Sequence, residues 1–224
     1  MIEKILPAAV ACAEAFSDLT DVVLFPEEEA QVNRAVENRR REFATARACA
    51  RRALADLGIA PVAIPRGERN APQWPAGIVG SITHCAGYRA AAVAHTRDVL
   101  TIGLDAEPDD ALPGGVLGEV SLPGERARLG DLTATAPDIS WDRLLFCAKE
   151  ATYKAWFPLT RSWLGFEDAD ITIDAADGTF QARLLVDPPL IEGSPLTAFH
   201  GRWLARDGLI LTAITAPAPA PPPP

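Results

Sequence analysis

The chain has 224 residues, 48% hydrophobic and 23% charged, the balance of a globular protein with room for one large core or two small ones. Its 21 basic residues against 30 acidic ones leave a formal charge of −9, which excludes bulk electrostatic attachment to nucleic acid or an anionic membrane as the main business of the chain. No apolar run approaches the roughly 20 residues of a membrane span, and the first stretch, flanked by Glu3 and Glu14, lacks the basic start of a signal peptide.

A cytoplasmic protein is therefore expected. Cys12, Cys49, Cys85 and Cys147 are far apart and form no C-x-x-C pair, the pattern of reduced, packed thiols rather than of a disulfide framework or zinc site.

Glu27 to Leu57 reads as one long helix, with Val32, Val36, Phe43, Ala46, Ala50 and Leu54 near helical spacing and Gly58 as its stop. Seven arginines lie between positions 34 and 52, opposed there by Glu37 and Glu42. Exposed arginines often only solvate a helix face. Arg39 and Arg47, however, stand about two turns apart and can share a face from which both grip one phosphate group.

Pro61 to Pro75 reads as a loop. Beyond it, "GSITHC" offers Gly80, Ser81, Thr83 and His84 as small donors in front of a phosphate; an alternating strand and a structural histidine are the plainer alternatives. Ala90–Ala94 and Val99–Leu104 are β-like runs around a short polar turn and predict a hairpin. At the end of the second run, "IGLDAE" puts Asp105 and Glu107 two residues apart, so that in extended backbone both carboxylates point the same way. Adjacent acids repel unless a cation or base sits between them, although a solvated strand end would also read this way.

Pro108–Gly118 and Pro123–Pro137 look loop-rich, with one short helix. Asp142 to Trp156 is the clearest helix of the second half, because Leu144, Ala148, Ala151 and Ala155 recur at i, i+4, i+7 and i+11. On it, Glu150 and Lys154 have the order of a helix-surface ion pair worth about 0.2–0.5 kcal/mol. The other reading makes Glu150 the third carboxylate that Asp105 and Glu107 need. Three carboxylates, waters and phosphate oxygens complete the octahedral shell of Mg²⁺, and Mn²⁺ accepts the same ligands; Lys154 would then reach the same phosphates.

Two later stretches each set an Asp-Gly turn beside strand-like residues. From Ala216 the chain alternates Ala and Pro and then turns to Pro alone, an extended, polyproline-like tail. The coarse order of helix, hairpin, loop, helix and antiparallel strands is α+β without βαβ alternation. It suits two similar halves that face each other. No P-loop, G-x-G-x-x-G, G-x-S-x-G or H-E-x-x-H is present.

"GSITHCAGY", "IGLDAEP" and "FCAKEATYKAW" together resemble 4′-phosphopantetheinyl transferases of the Sfp type, closest to the EntD-like branch, from about Arg39 to Ile214. Gly103, Asp105 and Glu107 match the family's G-x-D-x-E, and Phe146, Lys149, Glu150, Ala151 and Lys154 match [WF]-x-x-K-E-A-x-x-K. The resemblance implies a pseudo-dimer of two α+β halves, each an antiparallel sheet packed with a helix and with the site in the cleft between them. Its halves would be residues 1–106 and 107–215, with the proline tail at 216–224.

It implies further that Asp105, Glu107 and Glu150 hold Mg²⁺ on the pyrophosphate of coenzyme A and that Lys154 neutralises the attacked phosphate. Arg39, Arg47 and His84 would grip the 3′-phosphate, with Arg66 where relatives usually carry lysine. The reaction implied moves 4′-phosphopantetheine from coenzyme A to a serine of an apo acyl or peptidyl carrier protein, with Glu150 or a metal-held water as base. Fatty acid, polyketide, nonribosomal peptide and siderophore systems all use such carriers. The carrier is expected to dock on residues 156–166, beside Arg161, and the enzyme to be a monomer. A Mg²⁺-dependent nucleotide phosphohydrolase and a non-catalytic coenzyme A or carrier-binding module are the competing readings.

Overall fold

The structure is a computed structural model that describes residues 1–191 and 193–219. Strand β1 (Ala11–Ala15) leads to helices α1 (Pro26–Val32) and α2 (Glu37–Asp56), then to β2 (Ile78–Cys85), β3 (Tyr88–His95) and β4 (Val99–Pro108). Helices α3 (Val116–Val120), α4 (Pro123–Thr135) and α5 (Trp141–Thr160) follow. The chain then forms β5 (Ala169–Asp174), β6 (Thr179–Leu184), the two-residue strands β7 (Leu190–Ile191) and β8 (Ser194–Pro195), β9 (Ala198–Arg206) and β10 (Leu209–Pro217).

The expected α+β class holds. One antiparallel sheet has the order β1-β3-β2, and another the order β4-β10-β9-β6-β5. Each carries one long helix. Cys49, Ala50, Ala53 and Leu54 of α2 pack on Ala13, Ala91 and Val93 of the first sheet. Leu144, Leu145, Ala148 and Ala151 of α5 pack with Ile171, Phe180, Ile210 and Ile214 of the second. A third cluster, with Tyr88, Ala92, Ile102, Leu104 and Leu211, joins the two sheets. Enclosed side chains such as Leu54 and Leu144 each stabilise the fold by about 1.5–3 kcal/mol.

Four local expectations change. The long first helix is broken at Asn33–Val36, where Val36 is extended with ψ 153°. No Gly or Pro stands there; long-range bonds decide the matter. The carboxylate of Glu28 on α1 is fully buried and takes two 2.9 Å contacts from Arg51 Nη1 and the Ile64 N–H at 2.8 Å, which requires α1 to fold back beside α2. The hairpin expected from Ala90–Ala94 and Val99–Leu104 does not form either. β3 pairs with β2 through the Ala86–Gly87 turn and with β1, whereas β4 crosses to the other sheet and pairs with β10. β3 is buried from Tyr88 to Ala94, the mark of a central strand.

The second loop-rich stretch, 123–137, is mostly the helix α4. Ala216 and Pro217, placed in the tail, still belong to β10 and pair with Thr101 and Val99. Pro217 is tolerated because β9 no longer flanks β10 beyond Ile214 and no donor is needed there. Residues 220–224 of the expected tail lie outside the described residues. Both Asp-Gly turns form, one between β5 and β6 and one between β9 and β10. Strand β4 runs through residues 106 and 107, the expected junction of the halves.

Candidate active site

The period of two along β4 places the first functional groups. Thr101, Gly103, Asp105 and Glu107 share a face, and that face meets α5. Thr101 Oγ1 donates to the Ala155 carbonyl at 2.8 Å. A Cβ on Gly103 would lie 2.0 Å from the Ala151 carbonyl oxygen, so any side chain at 103 would push β4 off the helix. With glycine there the two elements approach closely, and Lys154 Nζ donates to Asp105 Oδ1 at 2.7 Å. Lys154 thus pairs with an acid 49 residues away in sequence.

Asp105 is only 5% exposed. Thr83 Oγ1 donates to the same Oδ1 at 3.3 Å, while Oδ2 is buried with no hydrogen-bond partner among the described residues. Glu107 meets Arg143 Nη1 at 3.1 Å, and Arg143 also holds the Asp110 and Ala111 carbonyls.

Burial and the Asp105 charge raise the carboxyl pKa of Glu107 above its ordinary value, against the pull of Arg143. Burial, then Asp105, and more weakly Glu107, raise that of Glu150, against Lys154. For Lys154 burial disfavours the ammonium, but Asp105 and Glu150 outweigh it and hold the pKa above the usual lysine value.

No three His, Cys, Asp or Glu side chains among the described residues stand in a ready metal-binding group, because Asp105 is turned to Lys154 and Glu107 to Arg143. The donor set nonetheless fits a hard divalent cation. It consists of oxygens, it includes a buried, unpartnered Asp105 Oδ2, and the Asp105 charge helps to raise the pKa values of Glu107 and Glu150, a repulsion that a cation relieves.

On the α2 side a cavity of about 280 Å³ is lined by Arg39, Glu42, Phe43, Arg47, Arg66 and His84. All four basic residues expected from the sequence to grip the 3′-phosphate line it. Arg47 is 4% exposed, and its Nε–H donates to the Ile64 carbonyl at 2.6 Å. Burial lowers its pKa to about 10, with Arg66 and Arg51 adding to the effect against Glu28. Arg39 is exposed and donates to Glu42 at 2.9 Å. Partial enclosure and then the Arg39 charge lower the imidazole pKa of His84, while Glu42 works in the other direction.

A smaller cavity of about 90 Å³ adjoins Glu150 and is lined by Tyr153, Trp163, Leu164 and Phe166. Tyr153 packs against Trp163 with centroids 5.0 Å apart and the rings tilted by 54°, and its buried hydroxyl has no partner among the described residues.

Comparisons with known proteins identify the family. A family model for the 4′-phosphopantetheinyl transferase N-terminal domain matches residues 27–94, and one for the 4′-phosphopantetheinyl transferase superfamily matches residues 101–201. The chain belongs to the 4′-phosphopantetheinyl transferase family. The transferase is 56% identical over 222 residues to the 4′-phosphopantetheinyl transferase Npt of Nocardia iowensis, covering 96% of this chain and 99% of that one. It is 52% identical over 223 residues to Svp of Streptomyces mobaraensis, at 98% and 91% coverage, and 51% identical over 223 residues to PptT of Mycobacterium tuberculosis, at 96% and 97%. No helix among the described residues is long and apolar enough to cross a membrane.

Some motif residues of the transferase have other destinations than the site. Ser81 is buried in the seam between β2 and β4, where its Oγ accepts the Leu104 N–H at 3.0 Å, and neither it nor Thr83 lines the basic cavity. Lys149 points away from the carboxylates, donating to the Phe166 and Ala169 carbonyls at 2.6 Å each and pairing with Glu125 at 2.9 Å. In the segment 156–166, Trp156, Phe157 and Leu164 are core. Trp163, 60% exposed, is the large apolar side chain this segment does display. The sequence reading did not single out Phe43, Glu125 or Arg143 as functional; Phe43 could have been found from its place one helical turn before Arg47.

Proposed function

We propose that the transferase moves 4′-phosphopantetheine from coenzyme A to a serine hydroxyl of an apo acyl or peptidyl carrier protein. The observation that carries this reading is the Lys154–Asp105 pair, with Glu150 one turn away and Glu107 two residues on, set between the cavity of Arg39, Arg47, Arg66 and His84 and the apolar cavity of Tyr153 and Trp163. The basic cavity suits the 3′-phosphate of coenzyme A and the apolar one suits the pantetheine arm. The pyrophosphate then lies at the carboxylate cluster between them.

Asp105, Glu107 and Glu150 would hold Mg²⁺ or Mn²⁺, which when bound neutralises pyrophosphate oxygens. Lys154, kept charged by Asp105 and Glu150, stabilises charge on the phosphoryl group in transit. The Oγ–P bond to serine forms as the P–O bond to the adenosine bisphosphate breaks, and the serine proton passes to Glu150. Burial and Asp105 raise the Glu150 pKa in the metal-free protein; a cation held by Glu150 would lower it again, which leaves a metal-held water as the alternative proton acceptor. Adenosine 3′,5′-bisphosphate leaves. Thr83, donating to Asp105, orients the acid on which both Lys154 and the metal set depend.

Trp163 and the neighbouring Arg161, whose backbone is left-handed at φ 55°, mark the rim on which the carrier docks. A monomer in the cytoplasm suffices for this chemistry, because both halves of one chain contribute to the cleft.

Intact-mass spectrometry of an apo carrier incubated with the transferase, coenzyme A and Mg²⁺ tests the reading. One phosphopantetheine arm should be gained, and none with Glu150→Gln. Consumption of coenzyme A without any carrier would mark a phosphohydrolase, and binding without consumption a non-catalytic module.

A further inference from the structure

Two arginines of the basic cavity, Arg47 and Arg66, are held differently from its third. Arg39 has a carboxylate, Glu42, at 2.9 Å. Arg47 and Arg66 have no ion pair among the described residues, although Arg47 is almost wholly buried and Arg66 is among the groups that depress it, while burial and Arg39 depress Arg66. What the pair shares is one aromatic ring. The guanidinium carbon of Arg47 lies 4.1 Å from the centroid of Phe43, and that of Arg66 lies 4.6 Å from the same centroid.

Phe43 and Arg47 are each 4% exposed, so the Arg47 contact forms away from water, where the ring quadrupole attracts a cation most strongly, and Arg66 completes the pair from the half-buried side. Both arginines are also tethered at a second point. Arg47 Nε donates to the Ile64 carbonyl, and the backbone of Arg66 exchanges two hydrogen bonds with the Gln31 side chain, at 2.7 and 3.0 Å.

We infer that Phe43 is a positioning residue for phosphate recognition: its ring holds the Arg47 and Arg66 side chains close together, despite their repulsion, so that one phosphate monoester meets both. A carboxylate in that place would do the same holding but would compete with the anion. An aromatic ring attracts the cations while leaving their N–H donors free. This inference rests on the proposed placement of the 3′-phosphate of coenzyme A in the cavity.

The test compares affinities for coenzyme A and 3′-dephospho-coenzyme A by calorimetry. Wild type should prefer coenzyme A. Phe43→Leu, which keeps an apolar side chain and removes the π face, should weaken coenzyme A binding about tenfold, the order expected from losing buried cation–π contacts, with no change for the dephospho compound. In turnover the loss should fall on KM and leave kcat intact.

Fluorinated phenylalanines incorporated at position 43 keep the shape of the ring and drain its face of charge. Coenzyme A affinity should fall stepwise with fluorine count, a response that simple packing would not produce. If the preference for the 3′-phosphate survives both Phe43→Leu and fluorination, the role of Phe43 is overturned and the cavity assignment stands. If wild type shows no preference at all, the cavity assignment fails and takes the inference with it.

Discussion

The carboxylate cluster on β4 and α5 and the basic cavity beside α2 handle charge in opposite ways. In the first, two of the three acids have an internal partner: Asp105 has Lys154, and Glu107 has Arg143. In the second, Arg47 and Arg66 are left without carboxylates and are steadied by an aromatic ring. A self-paired cluster has to be rearranged by what enters it, whereas an unpaired cationic cavity is already disposed toward an anion. The difference separates a site built for chemistry from a site built for grip, and it can be probed one side at a time.

The largest effect is expected from neither cluster but from the buried pair beneath the first. Lys149 and Glu125 are 2% and 1% exposed, and Glu125 also accepts the Leu122 and Ile171 N–H groups at 2.6 Å each. Lys149→Met leaves a buried carboxylate without its cation and should cost about 3–5 kcal/mol of stability, read as a shifted urea midpoint. Lys149→Met with Glu125→Met should recover part of that. The preference for coenzyme A over its 3′-dephospho form, measured below the transition, should stay unchanged, because neither residue lines the basic cavity. A fall in that preference with no loss of stability would mean that α5 couples the two regions.

Next comes Lys154→Ala, which should lower kcat about 10²–10³-fold, the usual scale for one preorganised electrostatic contact. The measurement is single-turnover transfer to a carrier under saturating coenzyme A. KM for coenzyme A should move much less, since its phosphate grip lies with the arginines. An equal loss in Arg39→Ala and Lys154→Ala, both in kcat, would dissolve the distinction between chemistry and grip.

How much of this was readable beforehand follows the range of the forces involved. Helix α5 was legible because its apolar residues recur on one face, and β4 because strand alternation brings Asp105 and Glu107 to the same side. Gly103 matched a pattern, but its physical use, letting β4 lie against Ala151, needs the other element present. The break before α2 was hidden because it depends on Glu28 finding Arg51 and Ile64, and nothing local at 33–36 announces it. β3 was misassigned to a hairpin with β4 because a strand buried on both faces carries no alternation from which to read a partner. Lys149 and Lys154 sit in one motif with the same side chain, and only the acids at 125 and 105, distant in sequence, tell them apart.

The smallest expected effect tests the grip side through protons. In the free protein, partial enclosure and Arg39 hold the His84 pKa below its ordinary value, which is about 6.5. The unfolded chain therefore takes up the His84 proton at higher pH than the folded one, so that His84 lowers stability as pH falls through that ordinary value and has no effect well above it. A bound phosphate favours the imidazolium and should raise the pKa again, making the binding of adenosine 3′,5′-bisphosphate take up a proton near pH 6 to 7. Comparison with His84→Asn isolates this from the second ionisation of the phosphate itself, which titrates in the same range and weakens binding on acidification in both proteins. The ratio of wild-type to variant affinity should be near one at pH 8.5 and rise severalfold toward pH 6, while free wild type loses more stability than the variant over the same interval. A ratio flat with pH would place the phosphate beyond the reach of His84 and leave the grip to the arginines alone.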